Sequence, residues 1–263
     1  MFWFTMKYIV LGPLLRLMYR PKVIGLENVP TDTGAIIAPN HQSFLDDFLM
    51  PLVIRKRKVV MMAKADYWEH WYSAWFFKAA GCIPVYRTGG SASAESLRDG
   101  IAAAQAGKLV GIFPEGTRSP DGRLYRGKTG VARMAVEARV PIIPVAISGT
   151  FGAWPYDKRL PKTGRVTITF GKPLSFERHY DSPADRFVLR SITDEVLYEI
   201  MLLSGQEYVD DYGSRVKKQI DDAKAATKAG VSPPAPGTSG DGPRIVLTDS
   251  EGSTSTSAKT TSA

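Results

Sequence analysis

The chain has 263 residues, long for one domain and short for two, so one folded domain with appendages is expected. Its 34 Lys and Arg against 26 Asp and Glu give a formal net charge of +8. That favours an anionic partner, such as a lipid headgroup, a phosphorylated metabolite or nucleic acid, without choosing among them. The single cysteine, Cys82, excludes an intramolecular disulfide and a Cys-rich zinc cluster; His41, His70 and His179 fall at no metal-ligand spacing, so no metal is expected.

Met1 to Arg20 is crowded with large apolar residues, among them Phe2, Trp3, Phe4, Tyr8, Ile9, Leu11, Leu14, Leu15, Leu17 and Met18, but Lys7, Arg16 and Arg20 interrupt the run. A spanning helix needs about 20 mostly uncharged apolar residues, and a cleavable signal carries its charge before its apolar stretch and ends in small residues. The segment fits neither pattern. The expectation for residues 1–21 is a helix lying in a membrane interface, with Trp3 and Tyr8 at headgroup depth and the cations toward anionic lipid. A helix packed on the protein's own core is the alternative.

Residues 22–229 read as one domain. Short strands are expected at Val23–Leu26 and Ala35–Ala38, separated by turn formers around Pro30 and Gly34, and at Lys58–Met62. An aromatic stretch, Tyr67–Phe77, leads to Gly81 and a strand through Ile83, Val85 and Arg87. Leu97, Ile101 and Ala104 share a helical face within Ala92–Ala106, which Gly107 is placed to end. Leu109–Phe113 reads as a buried strand, Thr129–Ala138 as a second helix and Pro141–Ile147 as another apolar strand. Val166, Ile168 and Phe170 alternate with threonines as a half-exposed strand does, and Ser182-Pro183-Ala184-Asp185 has the form of a helix start with Ser182 as cap. Strands alternating with helices give an α/β fold. From about Gly230 the composition turns to Ser, Thr, Gly and Pro, which cannot bury enough surface to offset the entropy of ordering, so 230–263 is expected to be a disordered tail.

Chemistry-bearing residues cluster at the ends of the apolar strands. Asn40-His41-Gln42-Ser43-Phe44-Leu45-Asp46 follows directly on Ala35–Ala38. Five residues along a helix turn the chain by about 140°, so His41 and Asp46 would not meet mid-helix but can meet if the histidine lies in the strand-to-helix loop and the aspartate in the helix's first turn. There the carboxylate takes the proton on one imidazole nitrogen and leaves the other as a base. Phe113-Pro114-Glu115-Gly116-Thr117-Arg118-Ser119 follows another apolar strand; Gly116 permits close backbone approach, while Glu115 and Arg118 offer a hydroxyl acceptor and a phosphate fork. Gly81-Cys82-Ile83-Pro84-Val85-Tyr86-Arg87 and Val140-Pro141-Ile142-Ile143-Pro144-Val145 each fit an ordinary core when taken alone.

In this order the four blocks resemble those of the glycerolipid acyltransferases of the 1-acylglycerol-3-phosphate acyltransferase, or PlsC-like, family. The resemblance runs from about Val23 to Gly171. It implies a mixed, largely parallel sheet flanked by helices, and transfer of a fatty acyl group from an acyl thioester to the free sn-2 hydroxyl of 1-acylglycerol-3-phosphate. It implies His41 as general base and Asp46 as its orienting partner. Arg87, Glu115 and Arg118 would bind the glycerophosphate together with Thr117, Gly116 would shape the loop, and Pro144 would line the acyl-donor side. No cofactor is implied beyond acyl-CoA or acyl carrier protein as co-substrate, and the expected partners are lysophosphatidic acid and an anionic membrane surface, at the cytoplasmic face of the cell membrane.

In the implied mechanism the substrate alcohol takes the place of a catalytic serine and no acyl-enzyme forms. Cys82, in an apolar run, suits the core better than a nucleophile's role. The alternatives are a related enzyme acting on glycerol-3-phosphate or another lysolipid, a transacylase or hydrolase, and a non-catalytic basic surface-binding module. The chain shows no glycine-rich nucleotide loop, zinc spacing or RNA-binding aromatic signature, so nucleic acid is not an expected partner.

Overall fold

The structure is a computed structural model that describes residues 5, 9, 11–86, 90–158, 160–181 and 185–228. The expected tail, 230–263, lies outside the described residues, as does most of 1–10.

Seven strands form the central sheet: β1 (Lys22–Ile24), β2 (Ala35–Pro39), β3 (Val59–Lys64), β4 (Ile83–Val85), β5 (Leu109–Gly111), β7 (Ile142–Ser148) and β8 (Thr167–Phe170). Their spatial order is β1-β8-β7-β2-β5-β3-β4. Every pairing is parallel except β7 with β8, which places β1 and β8 against the direction of the rest. A short parallel ribbon of β6 (Leu124–Tyr125) and β9 (Tyr208–Val209) stands apart.

The helices are α1 (Leu11–Tyr19), α2 (Asp46–Val53), α3 (Trp71–Ala80), α4 (Gly90–Gln105), α5 (Gly130–Ala138), the single turn α6 (Thr150–Ala153), α7 (Arg186–Ser204) and α8 (Gly213–Lys228). A parallel strand covered on both faces reads as an unbroken apolar run, and β2 is buried at all five positions. Ala35 and Ile37 join a cluster with Leu15 and Tyr19 of α1 and Leu49, Met50 and Leu52 of α2. Ile36 and Ala38 face the other way, toward Ile101 and Ala104 of α4, Val131 and Met134 of α5, and Ile192, Val196 and Ile200 of α7. Each large side chain so buried stabilises the fold by about 1.5–3 kcal/mol. A Cβ on Gly34 would lie 2.1 Å from the Ala104 carbonyl oxygen, so the chain enters β2 too close to α4 to carry a side chain.

Several elements differ from the sequence reading in extent. β5 ends at Gly111; the Ile112 amide still donates to Ile37 O, but the chain then turns to carry Phe113 onto the histidine loop. The β4 strand stops at Val85, and Arg87 lies outside the described residues. The aromatic stretch resolves into a 3₁₀ turn, Ala65–Trp68, followed by α3. The cap of α7 is Asp185, whose carboxylate accepts the amides of Phe187 and Val188; Ser182 to Ala184 lie outside the described residues.

Helix α1 has two distinct faces. Leu15 and Tyr19 are buried in the core, and the carbonyls of Met18 and Tyr19 accept the amides of Gly164 and Val166. Leu14 and Leu17 stand 51% and 71% exposed on the other face. Residues 11–19 thus pack on the main domain through one face. Among the described residues no helix is long and apolar enough to cross a membrane.

Candidate active site

β2 ends at Pro39, and the next residue fixes the exit of the chain. The Asn40 side-chain amide copies a strand pairing with β7: Oδ1 accepts the Ile147 amide at 2.7 Å and Nδ2 donates to the Ile147 carbonyl at 3.0 Å. Nδ2 also donates to Gln206 Oε1, beyond the end of α7. The loop His41-Gln42-Ser43 then turns into α2, whose first residue is Asp46. Leu45, buried at the helix start, and the half-buried pair Phe44 and Phe48, 5.0 Å apart edge to face, seat that helix.

Asp46 organises the loop from within. Its Oδ2 accepts the amides of Gln42 and Ser43, each at 2.7 Å, and faces His41 Nδ1 at 3.1 Å. Three donors on one carboxylate oxygen stabilise the charge that complete burial would otherwise penalise. With its proton on Nδ1, the imidazole donates to Asp46 and leaves the Nε2 lone pair as base. The Phe113 ring stacks on the imidazole, 3.8 Å between centroids and 18° between planes, fixing its plane from one side.

The loop after β5 holds the histidine by its backbone. Glu115 Oε1 accepts the His41 amide at 2.9 Å, and the Ser119 amide donates to the His41 carbonyl at 2.7 Å. Glu115 Oε2 accepts the Tyr125 amide at 3.0 Å, tying the same carboxylate to β6. Ser119 Oγ donates to the Arg123 carbonyl and accepts the Gly122 amide, closing the following turn. Gly116 has φ +67° and its amide donates to the Phe113 carbonyl, closing a tight turn.

Two residues sit differently from the sequence reading. Glu115 is only 2% exposed, with each oxygen on a backbone amide, so it braces the loop. Burial pushes its carboxyl up to about 8 against the pull of the two amides, and Asp46 and Asp121 add to the rise. Pro144, on β7, is buried on the α7 side of the sheet, close to Gly171 and Leu203, away from the face that carries α2. Thr117 is half-buried with its methyl against Gly213, and Arg118 is half-buried with no side-chain hydrogen bond or ion pair among the described residues. Arg87 lies outside them. Cys82 is half-buried, its thiol pushed up to about 12 by burial and by Asp47.

The sequence reading passed over Asn40, Phe113, Ser119, Tyr125 and Gln206. The first three lie inside the two blocks and could have been taken with them. Tyr125 and Gln206 reach the site only through the fold, and no local pattern marks them.

A family model described as Acyltransferase matches residues 20–148. The 1-acyl-sn-glycerol-3-phosphate acyltransferase of Bacillus subtilis is 32% identical over 154 residues, which are 58% of this chain and 73% of that protein. The chain belongs to the acyltransferase family. The chloroplastic 1-acyl-sn-glycerol-3-phosphate acyltransferase BAT2 of Brassica napus is 31% identical over 64% of this chain, but the match spans only 47% of that longer protein. The crystal structure of the 1-acyl-sn-glycerophosphate acyltransferase PlsC from Thermotoga maritima superposes with a TM-score of 0.59 at 26% identity, covering 75% of this chain and 80% of that one. Within this acyltransferase the family match takes in the His41 loop, Asp46, the Glu115 loop and β7, whereas α7, β9 and α8 lie beyond it.

Proposed function

We propose that this chain transfers a fatty acyl group from an acyl thioester to the sn-2 hydroxyl of 1-acylglycerol-3-phosphate, giving phosphatidic acid. The observation that carries the reading is the His41 Nδ1 to Asp46 Oδ2 pair at 3.1 Å, held at the carboxyl ends of parallel strands. The names of relatives at about this distance supply the acceptor.

His41 Nε2 takes the proton of the acceptor hydroxyl as its oxygen attacks the thioester carbonyl. The tetrahedral intermediate collapses, the C–S bond breaks, and the imidazolium returns its proton to the leaving thiolate. Asp46 stabilises the imidazolium while it lasts. Arg118 supplies a cation for the acceptor phosphate beside this base, and Arg87 is proposed as its partner. Glu115 acts through His41, by positioning its backbone.

The exposed face of α1, with Leu14 and Leu17, and the exposed rings of Trp71 and Trp75 on α3 support docking on a membrane surface, where the lysolipid resides. The test crosses acyl-CoA and acyl carrier protein donors with lysophosphatidic acid, glycerol-3-phosphate and monoacylglycerol, and identifies products by mass spectrometry. Phosphatidic acid from lysophosphatidic acid is the expected product. Acyl transfer confined to another acceptor, or to water, would refute the assignment.

A further inference from the structure

Beside the Glu115 loop lies a groove of about 630 Å³ lined by Lys128, Thr129, Tyr212, Ser214, Arg215 and Lys218. Its two walls have different origins. Lys128 comes from within the family match, and its side chain lies over Gly116, within 3.1 Å of where a Cβ would stand. Arg215 and Lys218 come from α8, beyond the match, and the helix start is pressed against the loop where Gly213 meets Thr117 and Tyr125. The loop that grips His41 through Glu115 and Ser119 thus touches the groove through Gly116 and Thr117.

The lining carries three cations, Lys128, Arg215 and Lys218, of which Arg215 also meets Asp211 at 3.4 Å. Arg126 lies over the Tyr212 ring and is paired with Asp210. Hydroxyls of Thr129 and Ser214 complete a surface suited to phosphate oxygens. The volume is that of a small-molecule site, and its three cations and the Thr129 and Ser214 hydroxyls match several phosphates, where a carrier protein's arm brings one.

We infer that this groove binds the phosphorylated nucleotide end of an acyl-coenzyme A donor, with the pantetheine arm passing along the loop toward His41. This rests on the proposed acyl transfer, because only a thioester donor brings both a reacting carbon and, an arm's length away, several phosphates. A lysolipid offers one phosphate next to its reacting hydroxyl, whereas the cations and hydroxyls of the groove match several phosphates held away from the reacting atom.

The test is the double variant Arg215→Ala/Lys218→Ala, two exposed positions on the surface of α8. Loss of one charge-assisted contact costs about tenfold. The KM for acyl-CoA should therefore rise at least tenfold, while the KM for an acyl-N-acetylcysteamine thioester, which lacks phosphates, and that for lysophosphatidic acid move less than twofold. Calorimetric titration with coenzyme A alone should show the same loss of affinity. Unchanged affinity for coenzyme A overturns the groove even if the parent acylates lysophosphatidic acid. A raised KM for the lysolipid with either donor assigns the groove to the acceptor and overturns the inference, as does a raised KM for acyl carrier protein alone. A parent that binds coenzyme A through these residues yet acylates no lysolipid keeps the groove and sinks the proposed function.

Discussion

The carboxylate of Glu115 accepts the backbone amide of His41 at 2.9 Å, so the position of the proposed base is set by a residue 74 places along the chain. Its other oxygen holds Tyr125, and both contacts are buried. Glu115→Ala would leave two buried amides unpaired, at about 1–3 kcal/mol each. Misplacing the base should lower kcat by about tenfold to a hundredfold. Steady-state kinetics separate this from substrate binding: a positioning role lowers kcat and leaves the KM for lysophosphatidic acid within twofold. A rise in KM at unchanged kcat would restore Glu115 as a substrate ligand.

The same residue links stability to pH. Its folded-state value of about 8 stands above the usual 4.5, so its stabilising contribution is complete below 4.5, where both states hold the proton. As pH rises the unfolded chain releases that proton first, and the contribution is lost up to about 8. Glutamine does not titrate. The melting temperature of the parent relative to Glu115→Gln should therefore fall steadily between pH 4.5 and 8. A constant difference across that window would show that Glu115 is not held above its ordinary value.

What the sequence made legible here follows from range. The His41 to Asp46 contact spans five residues at a strand end; the spacing excluded a pair in mid-helix and allowed a loop followed by a first helical turn, which is the arrangement between β2 and α2. Glu115 was found as a residue, but its bracing of the loop left no local mark, because the partners that engage both its oxygens lie on other segments. Pro144 was found by its block, yet which face of β7 it occupies depends on the sheet's register with Ala38. The helix α3 was read only as an aromatic stretch, since aromatic residues on several faces blur the helical period. α8 carries few apolar residues, and its place beside Thr117 is a tertiary fact.

Arg118 tests the acceptor. Removing one charge-assisted contact to a phosphate costs about 1.5–3 kcal/mol, roughly tenfold to a hundredfold or somewhat more in kcat/KM. Arg118→Ala should penalise lysophosphatidic acid by that factor and leave the poor acceptor monoacylglycerol hardly worse. Equal losses on both acceptors would make Arg118 structural, or assign it to the donor.

Cys82 should be chemically quiet. A thiol held near 12 contains little thiolate at neutral pH, so iodoacetamide should modify the folded protein slowly, and Cys82→Ala should keep kcat within about threefold. Rapid alkylation that abolishes turnover would point to an acyl-enzyme route instead.

The two-faced helix α1 calls for point variants, because deleting it would remove Leu15 and Tyr19 from the core. Leu14→Asp/Leu17→Asp alters only exposed positions and should release the protein from anionic vesicles in a sedimentation assay while its melting temperature holds. Unchanged sedimentation would refute membrane docking through this face.

The most direct measurement is turnover of lysophosphatidic acid by His41→Gln and Asp46→Asn, with near-ultraviolet circular dichroism to verify that each variant keeps its packing. Glutamine retains most of the bulk that rests on Phe113, so any loss reports the base. For His41→Gln, kcat should fall by about a hundredfold to ten-thousandfold. Asp46→Asn should lose less, since an amide can still hydrogen-bond the imidazole but cannot stabilise its charge. Near-parental turnover by a correctly folded His41→Gln protein would contradict general-base catalysis at this site.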